Sequence, residues 1–319
     1  MNNKEKPIVS FIITCYNLPT DMLTECIDSI LALSLNENER EIILIDDGSQ
    51  TSPVDALGLR MDEITYIRQN NKGLSVARNV GIDIAIGQYI QFVDGDDMLI
   101  SHAYEHCLDI VKYDNYDIIM FNPTSNINKK TIIHGKSKIC SGEEYMLNNN
   151  LHATAWGYIF RKDILDDLRF TPCTLHEDEE FTPQLMLRAK NVYATGINAY
   201  FYRQRPHSIT NSTDKRNIIK RLNDIERIIK KLDNLAAAIQ GRGQAAMKRR
   251  VAQLTMDYIY NTIKLTGSAT QFGKRLERLK AQALFPLPDR HYTTKYTLFR
   301  IALKSLLVQR LLKNVLKQY

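Results

Sequence analysis

The sequence predicts an α/β fold: a mostly parallel sheet flanked by helices, followed by a helical C-terminal extension. Three observations predict it. Short β-rich runs alternate with helix-like segments through the first hundred or so residues, the rhythm of βαβ units. Each run ends in a polar cluster, as strands of a parallel sheet do where a ligand is held. Beyond Asp214 the strand pattern stops and a basic, helical periodicity takes over. The expected division is residues 1–212 for an α/β domain and 213–319 for the helical region.

Taken in order, IVSFIIT (8–14) reads as the first strand, and TDMLTECIDSILAL (20–33) has helical apolar spacing with Asp21 in its first turn. EIILID (41–46) and ITYIRQ (64–69) are the second and third strands. SVARNVGIDIAI (75–86) is a helix, and YIQFVD (89–94) the fourth strand. Further strands are expected at 117–121 and 155–160. GRG (241–243), TGSAT (266–270) and FPLPD (285–289) break the C-terminal helices.

Composition narrows the class. The 44% apolar and 24% charged content fits a soluble globular chain, and no apolar stretch reaches the roughly 20 residues that span a bilayer. The N-terminal MNNKEKPIVSF lacks a secretory layout, which points to the cytoplasm. Five scattered cysteines without a CxxC fit reduced thiols and argue against a zinc module. The net charge of +6 hides an asymmetry: 23 basic and 6 acidic residues follow Asp214, against 19 and 30 up to it. An acidic body suits cation-assisted chemistry, and a basic tail suits an anionic partner.

The strand-end clusters are Tyr16-Asn17, Asp46-Asp47-Gly48-Ser49, Asn70-Asn71-Lys72-Gly73 and Asp94-Gly95-Asp96-Asp97. One helix cap explains a single Asp of the last cluster well and three poorly. Two carboxylates turned to one point by a glycine suit a hard cation such as Mn²⁺ or Mg²⁺, with a diphosphate completing the oxygen ligands. Asp46 offers an acceptor for a base N–H or a ribose hydroxyl, with Asp47 as a turn former. Arg78 is either a solvated helix residue or a nucleotide or phosphate contact. NKGLSVARN (71–79) is neither GxGxxG nor a P-loop. In LHEDEEF (175–181), acids open a helix or supply a general base. YFYRQRPHSIT (200–210) is either a basic surface loop or a flap of donors that closes on a diphosphate.

In this order the motifs resemble the family 2 glycosyltransferases, inverting enzymes of the GT-A fold, over roughly residues 7–212. VSFIITCYN is similar to the family's opening strand, and ILIDDGSQ to its nucleotide-binding strand. NKGLSVARNVGIDIAIGQYIQFVDGDD resembles the G-x-x-x-A-R-N helix and the DxD strand. HEDEEF resembles the ED motif, and RQRPHSIT the later Arg/Ser loop. The resemblance implies a GT-A sheet that binds a nucleotide sugar, with Tyr16, Asn17, Asp46 and Arg78 at the nucleoside. Asp94 and Asp96 would lie at the ribose and at a Mn or Mg ion, with His207 as a further metal contact. Asp178 would be the catalytic base, with Glu177 positioning base or acceptor. Arg203, Arg205 and Ser208 would close on the diphosphate. The implied reaction is metal-dependent transfer from a UDP-sugar to a hydroxyl of a glycan or lipid-linked glycan in polysaccharide synthesis. The rivals are a nucleotidyltransferase and a non-catalytic glycan- or membrane-associated protein of the same fold.

In the tail, Leu298, Ile301, Val308, Leu312 and Val315 share one helical arc, with Arg310, Lys313 and Lys317 largely opposite. The arc either packs on the protein or a second subunit, or lies on an anionic membrane face. No nucleic-acid module is recognisable, so a nucleic-acid partner is not expected.

Overall fold

The structure, a computed structural model, describes residues 6–127, 139–205, 214–305 and 307–309. His207, Ser208, Arg310, Leu312, Lys313, Val315 and Lys317 lie outside the described residues. The chain divides into two compact units: residues 1–145 with 152–205, and residues 146–151 with 206–319.

The first unit is built on one eight-stranded sheet. Its elements run β1 (Val9–Cys15), α1 (Thr20–Leu31), β2 (Arg40–Asp46), the single turn α2 (Val54–Leu57), β3 (Ile64–Arg68), α3 (Leu74–Ile84) and β4 (Tyr89–Asp94). The short β5 (Met98–Leu99), α4 (Ser101–Tyr113), β6 (Ile118–Thr124), α5 (Gly142–Asn148, of which 146–148 count with the second unit), β7 (Tyr158–Arg161), α6 (Asp178–Arg188) and β8 (Val192–Phe201) follow. The strand order is β3-β2-β1-β4-β7-β6-β8-β5. β3, β2, β1 and β4 are mutually parallel, and β7 enters antiparallel to both β4 and β6.

Continuous apolar runs explain the parallel half. All seven residues of β1 are buried, so this strand is covered on both faces. Phe11 and Ile13 join Leu23, Cys26, Ile27 and Ile30 of α1 and Tyr104 and Cys107 of α4 in one core cluster. Each fully buried Ile or Phe stabilises the layer by about 1.5–3 kcal/mol. Because β1–β4 run the same way, their carboxyl ends come to one edge, and the four polar clusters come with them.

The second unit is helical: α7 (Lys215–Ala238), α8 (Gly241–Thr266), α9 (Ala269–Ala281) and α10 (Thr294–Lys304). α7 buries Leu222, Ile228, Ile229 and Leu232, and α8 buries Met247, Val251, Leu254 and Tyr258. TGSAT breaks the pattern for two local reasons. Gly267 closes α8 in the left-handed conformation, and the Ser268 side chain accepts the Gln271 N–H to cap α9. The sequence does not announce that residues 146–151 belong to this unit. Buried Arg249 donates to the carbonyls of Met146 (2.5 Å) and Asn149 (2.7 Å), and Arg250 to that of Leu151 (2.8 Å). On α10, Tyr296 and Leu303 are buried, while Leu298 and Ile301 are 63% and 57% exposed. Among the described residues no helix is long and apolar enough to cross a membrane.

Candidate active site

The turn after β4 holds the acidic cluster. Gly95 lets it pass close to β1: a Cβ there would stand 2.9 Å from the Thr14 carbonyl oxygen and from a Leu18 methyl. Asp94 accepts a hydrogen bond from Arg78 Nη2 at 2.8 Å, and Asp96 pairs with Arg205 Nη2 at 2.5 Å. Burial and then the neighbouring Asp94 push the Asp96 carboxyl above its ordinary range, and the Arg205 guanidinium opposes them. Asp96 is thus a half-buried acid whose charge improves with any nearby cation.

Asp97, the Asp of the cluster that stands nearest the next helix, does not cap it. Instead α4 starts without a side-chain cap, and Asp97 turns inward. It accepts from the Tyr200 hydroxyl (2.9 Å) and from the Arg203 backbone N–H (2.8 Å). Its carboxyl, 1% exposed, is pushed up to about 8 by burial and by Asp94. The Arg203 side chain donates Nε–H to the Asp96 carbonyl at 2.9 Å and pairs with Glu25. The end of β8 is therefore stitched to the acidic turn.

Arg78 brings the second acidic motif to the same place. It is 3% exposed on α3, with Nη1 on Glu177 at 2.6 Å and Nη2 on Asp94 at 2.8 Å. Burial alone would lower its pKa, but the fields of Asp94, Glu177 and Asp178 reverse the sign and raise it. The guanidinium lies 5.4 Å from the Phe170 ring centroid and 5.9 Å from that of Phe92. Its neighbour Asn79 fixes this arrangement by exchanging two 2.9 Å hydrogen bonds with the backbone of Phe170. No role for Asn79 is legible from its neighbours, because its partner lies 91 residues away.

Glu177 precedes α6 and is buried, and Asp178 opens the helix half-buried, with Oδ1 accepting the Glu179 N–H at 2.9 Å. His176, just before them, has φ of 62°, the tight turn that brings both carboxylates to the helix start. The acids of HEDEEF stand at a helix N-terminus, and Glu177 reaches the strand-end cluster through Arg78.

Toward β2 and β3 the turns are tied to one another. Asp46 is fully buried, accepting the Ser49 N–H (2.8 Å) and the Tyr66 hydroxyl (2.9 Å), with Arg68 Nε at 3.5 Å. A base N–H reaches it only if Tyr66 or Arg68 moves aside. Asp47 does more than form its own turn. It accepts from Gln69 Nε2 (2.6 Å) and from the N–H groups of Lys72 and Gly73 (both 2.8 Å), binding the β2 turn to the β3 turn. Gly48 has φ of 81°, and a Cβ there would meet the Asn71 nitrogen at 2.7 Å. Asn17, at φ 48°, donates its N–H to Ser49 Oγ (2.9 Å) and accepts the Gln50 N–H (2.7 Å). Beside it Tyr16 is 50% exposed.

The structure brings together Tyr16, Asn17, Asp46, Arg78, Asp94, Asp96, Glu177, Asp178, Arg203 and Arg205, all within the first unit. Asp94 and Asp96 offer oxygen donors of the kind hard cations take. Among the described residues no three His, Cys, Asp or Glu side chains are grouped to hold an ion unaided. Asp94 and Asp96 alone would leave a hard cation short of its roughly six or more oxygen ligands, so the rest would have to come from elsewhere.

A parallel sheet with a carboxylate turn at its edge, continued by antiparallel strands and joined to a second acidic motif, defines a GT-A type of protein. The chain belongs to glycosyl transferase family 2, whose profile matches residues 10–169. It is 30% identical over 225 residues to the uncharacterized glycosyltransferase EpsJ of Bacillus subtilis, covering 64% of this chain and 63% of that relative. The chain thus spans less than two thirds of that relative's length. S. aureus TarS (residues 1–349), solved in complex with UDP-GlcNAc, superposes with a TM-score of 0.71 at 17% identity, covering 97% of this chain and 91% of that one. A mannosyltransferase from Pyrobaculum calidifontis, solved in complex with GDP-Man and Mn²⁺, gives 0.56 at 13% identity over 96% and 88%. At these identities the structures establish the likeness of fold.

Proposed function

We propose that the chain is an inverting glycosyltransferase that moves a sugar from a nucleoside diphosphate donor, UDP-linked, to a hydroxyl of a glycan or lipid-linked glycan. The setting is the cytoplasmic side of surface-polysaccharide assembly. The observation that carries the reading is Arg78: one buried guanidinium pairs with Asp94 at the strand end and with Glu177 beside Asp178. That pairing supports a reading in which a donor-side carboxylate and a base share one site. A nucleotidyltransferase has no use for the second motif.

The residues divide the work as the chemistry requires. Tyr16, Asn17 and Asp46 line the nucleoside side, with Asp47 and Ser49 holding their turns. Asp178 takes the proton of the acceptor hydroxyl, whose oxygen forms a bond to the anomeric carbon as the bond to the diphosphate oxygen breaks. The nucleoside diphosphate leaves with that electron pair, and a single displacement inverts the anomeric centre. Arg203 and Arg205 offset the charge that develops on the leaving group. Glu177, fixed by Arg78, orients Asp178 and the acceptor. A Mn or Mg ion held by Asp96 and Asp94, with His207, would add positive charge at the diphosphate. In the second unit, exposed Leu298 and Ile301 beside exposed Lys295 and Lys304 support peripheral contact with an anionic membrane face, where lipid-linked acceptors reside.

The test is a panel of UDP-, GDP- and dTDP-sugars with Mn²⁺ or Mg²⁺, read by release of the nucleoside diphosphate and by mass spectrometry of added glycan acceptors. Nucleoside diphosphate release with a glycosylated product is expected. Pyrophosphate release, or no turnover of any donor, overturns the proposal.

A further inference from the structure

We propose that Arg205 and a divalent cation exclude one another at Asp96, so that the guanidinium guards the carboxylate until a donor diphosphate draws it away. The inference rests on the transferase reading above and on the cation placed there at Asp94 and Asp96. Among the described residues three arginines meet the acidic turn, and they are held differently. Arg78 is 3% exposed and divided between Asp94 and Glu177. Arg203 is fastened through its backbone N–H to Asp97, through Nε to the Asp96 carbonyl and through Nη2 to Glu25. Arg205 lies beyond β8, which ends at Phe201. Its side chain is 33% exposed, and its Nη2 rests on Asp96 Oδ2 at 2.5 Å.

That contact puts a positive charge where a metal ion would stand. Divalent cations lie about 2.0–2.6 Å from carboxylate oxygens. An ion on Asp96 and an Nη2 at 2.5 Å from the same carboxylate would therefore stand side by side. Their repulsion in a half-buried site is far stronger than it would be in water. Asp96 is in need of one of the two, because burial and the field of Asp94 disfavour its charge and Arg205 opposes them. An ion from solution can reach both acids, the Asp94 side chain being 27% exposed and that of Asp96 16%.

A bound diphosphate changes the balance. It brings several negative oxygens, which an arginine fork matches in pairs. It also supplies oxygen ligands that two carboxylates lack. Arg205 then has a better partner than Asp96, and Asp96 is freed for the ion. In the donor-free protein Arg205 neutralises the acid pair and weakens cation binding. With the donor present, cation and diphosphate strengthen one another, and the coupling is reciprocal: the factor UDP gives to cation affinity, the cation gives to UDP. A residue that did no more than contact the diphosphate would add to UDP affinity and leave the cation affinity of the free protein untouched.

Mn²⁺ binding to the full-length protein, read from the electron paramagnetic resonance signal of the free ion, tests this without turnover. It is measured with and without UDP for the native chain, Arg205→Gln and Arg205→Lys, with UDP affinity followed by calorimetry. Without nucleotide, Arg205→Gln is expected to bind Mn²⁺ about tenfold more tightly than the native chain, and Arg205→Lys to stay within about threefold of it. UDP should tighten Mn²⁺ binding about tenfold in the native chain and no more than about twofold in Arg205→Gln. Trp156, the only tryptophan in the chain, reports through its emission in urea that the first unit of each variant is folded. Equal or weaker Mn²⁺ binding by nucleotide-free Arg205→Gln overturns the competition. So does an absence of Mn²⁺ binding to both chains while UDP binds. The first comparison contains no nucleotide, so failure there leaves the transferase reading standing. Lack of any nucleotide binding overturns that reading, and the hand-over to the diphosphate with it.

Discussion

Replacing Arg78 with leucine removes the tie between the two acidic motifs, and its cost follows from the geometry. The guanidinium satisfies Glu177, which is 7% exposed, and Asp94, whose side chain is 27% exposed. Truncating one partner of a buried ion pair costs about 3–5 kcal/mol, because the remaining charge is stranded. Asp94 keeps some water and leucine refills part of the space beside Phe92 and Phe170, so the expected loss is about 3 kcal/mol. Trp156 lies in the first unit, so its fluorescence in urea follows that unit without assuming that both units unfold together. Arg78→Leu with Glu177→Leu should recover much of the loss, because only the better-solvated Asp94 is then left without its partner. A deficit below about 1 kcal/mol, or no recovery in the double variant, would refute the reasoning.

The other predictions concern chemistry, metal, protonation and membrane. Asp178→Asn should reduce turnover by about 10²–10⁴-fold while leaving donor affinity intact in calorimetry, and near-normal turnover would remove Asp178 from the role of base. Asp96→Ala should weaken UDP binding in the presence of Mn²⁺ and make it insensitive to chelator; undiminished binding would dismiss the metal assignment. The Asp97 carboxyl, pushed up to about 8 against an ordinary value of about 3.9, binds a proton in the folded state that the unfolded chain releases. Its contribution is therefore fully present below about pH 3.9 and is lost as the pH rises through about 8. In chelator, the stability difference between the native chain and Asp97→Asn should decline between pH 5 and 8; a flat difference would contradict that. Leu298→Asp with Ile301→Asp should abolish sedimentation with phosphatidylglycerol vesicles without changing donor hydrolysis, and unchanged sedimentation would count against α10 as the contact.

Local features of the fold could be read from the sequence. β1, β2 and β4 are covered on both faces and so read as unbroken apolar runs, and their polar ends stand where the direction of the sheet puts ligands. Long-range features could not. Nothing near Arg78 announces Glu177, 99 residues on, or predicts that Asn79 will hold the Phe170 backbone. The inward turn of Asp97 depends on Tyr200, 103 residues away, so its neighbours suggested only a helix cap. The strands expected at 117–121 and 155–160 overlap β6 and β7, but their antiparallel pairing was not legible, and β5, two residues long, is too short to show an alternation.

The cross-tied turns after β1, β2 and β3 carry a consequence for anyone who wishes to redesign this protein. Asn17, Ser49 and Gln50 interlock, as do Asp47, Lys72 and Gly73, and Gly48 leaves no room for a methyl group. Random libraries aimed at residues 46–49 would consist largely of misfolded chains, because each change there loosens two turns at once. Substitutions are better placed at Tyr16 and Arg205, whose side chains are exposed and half-buried. The rigid corner of the site is an anchor to inherit, and the rim is the part open to breeding.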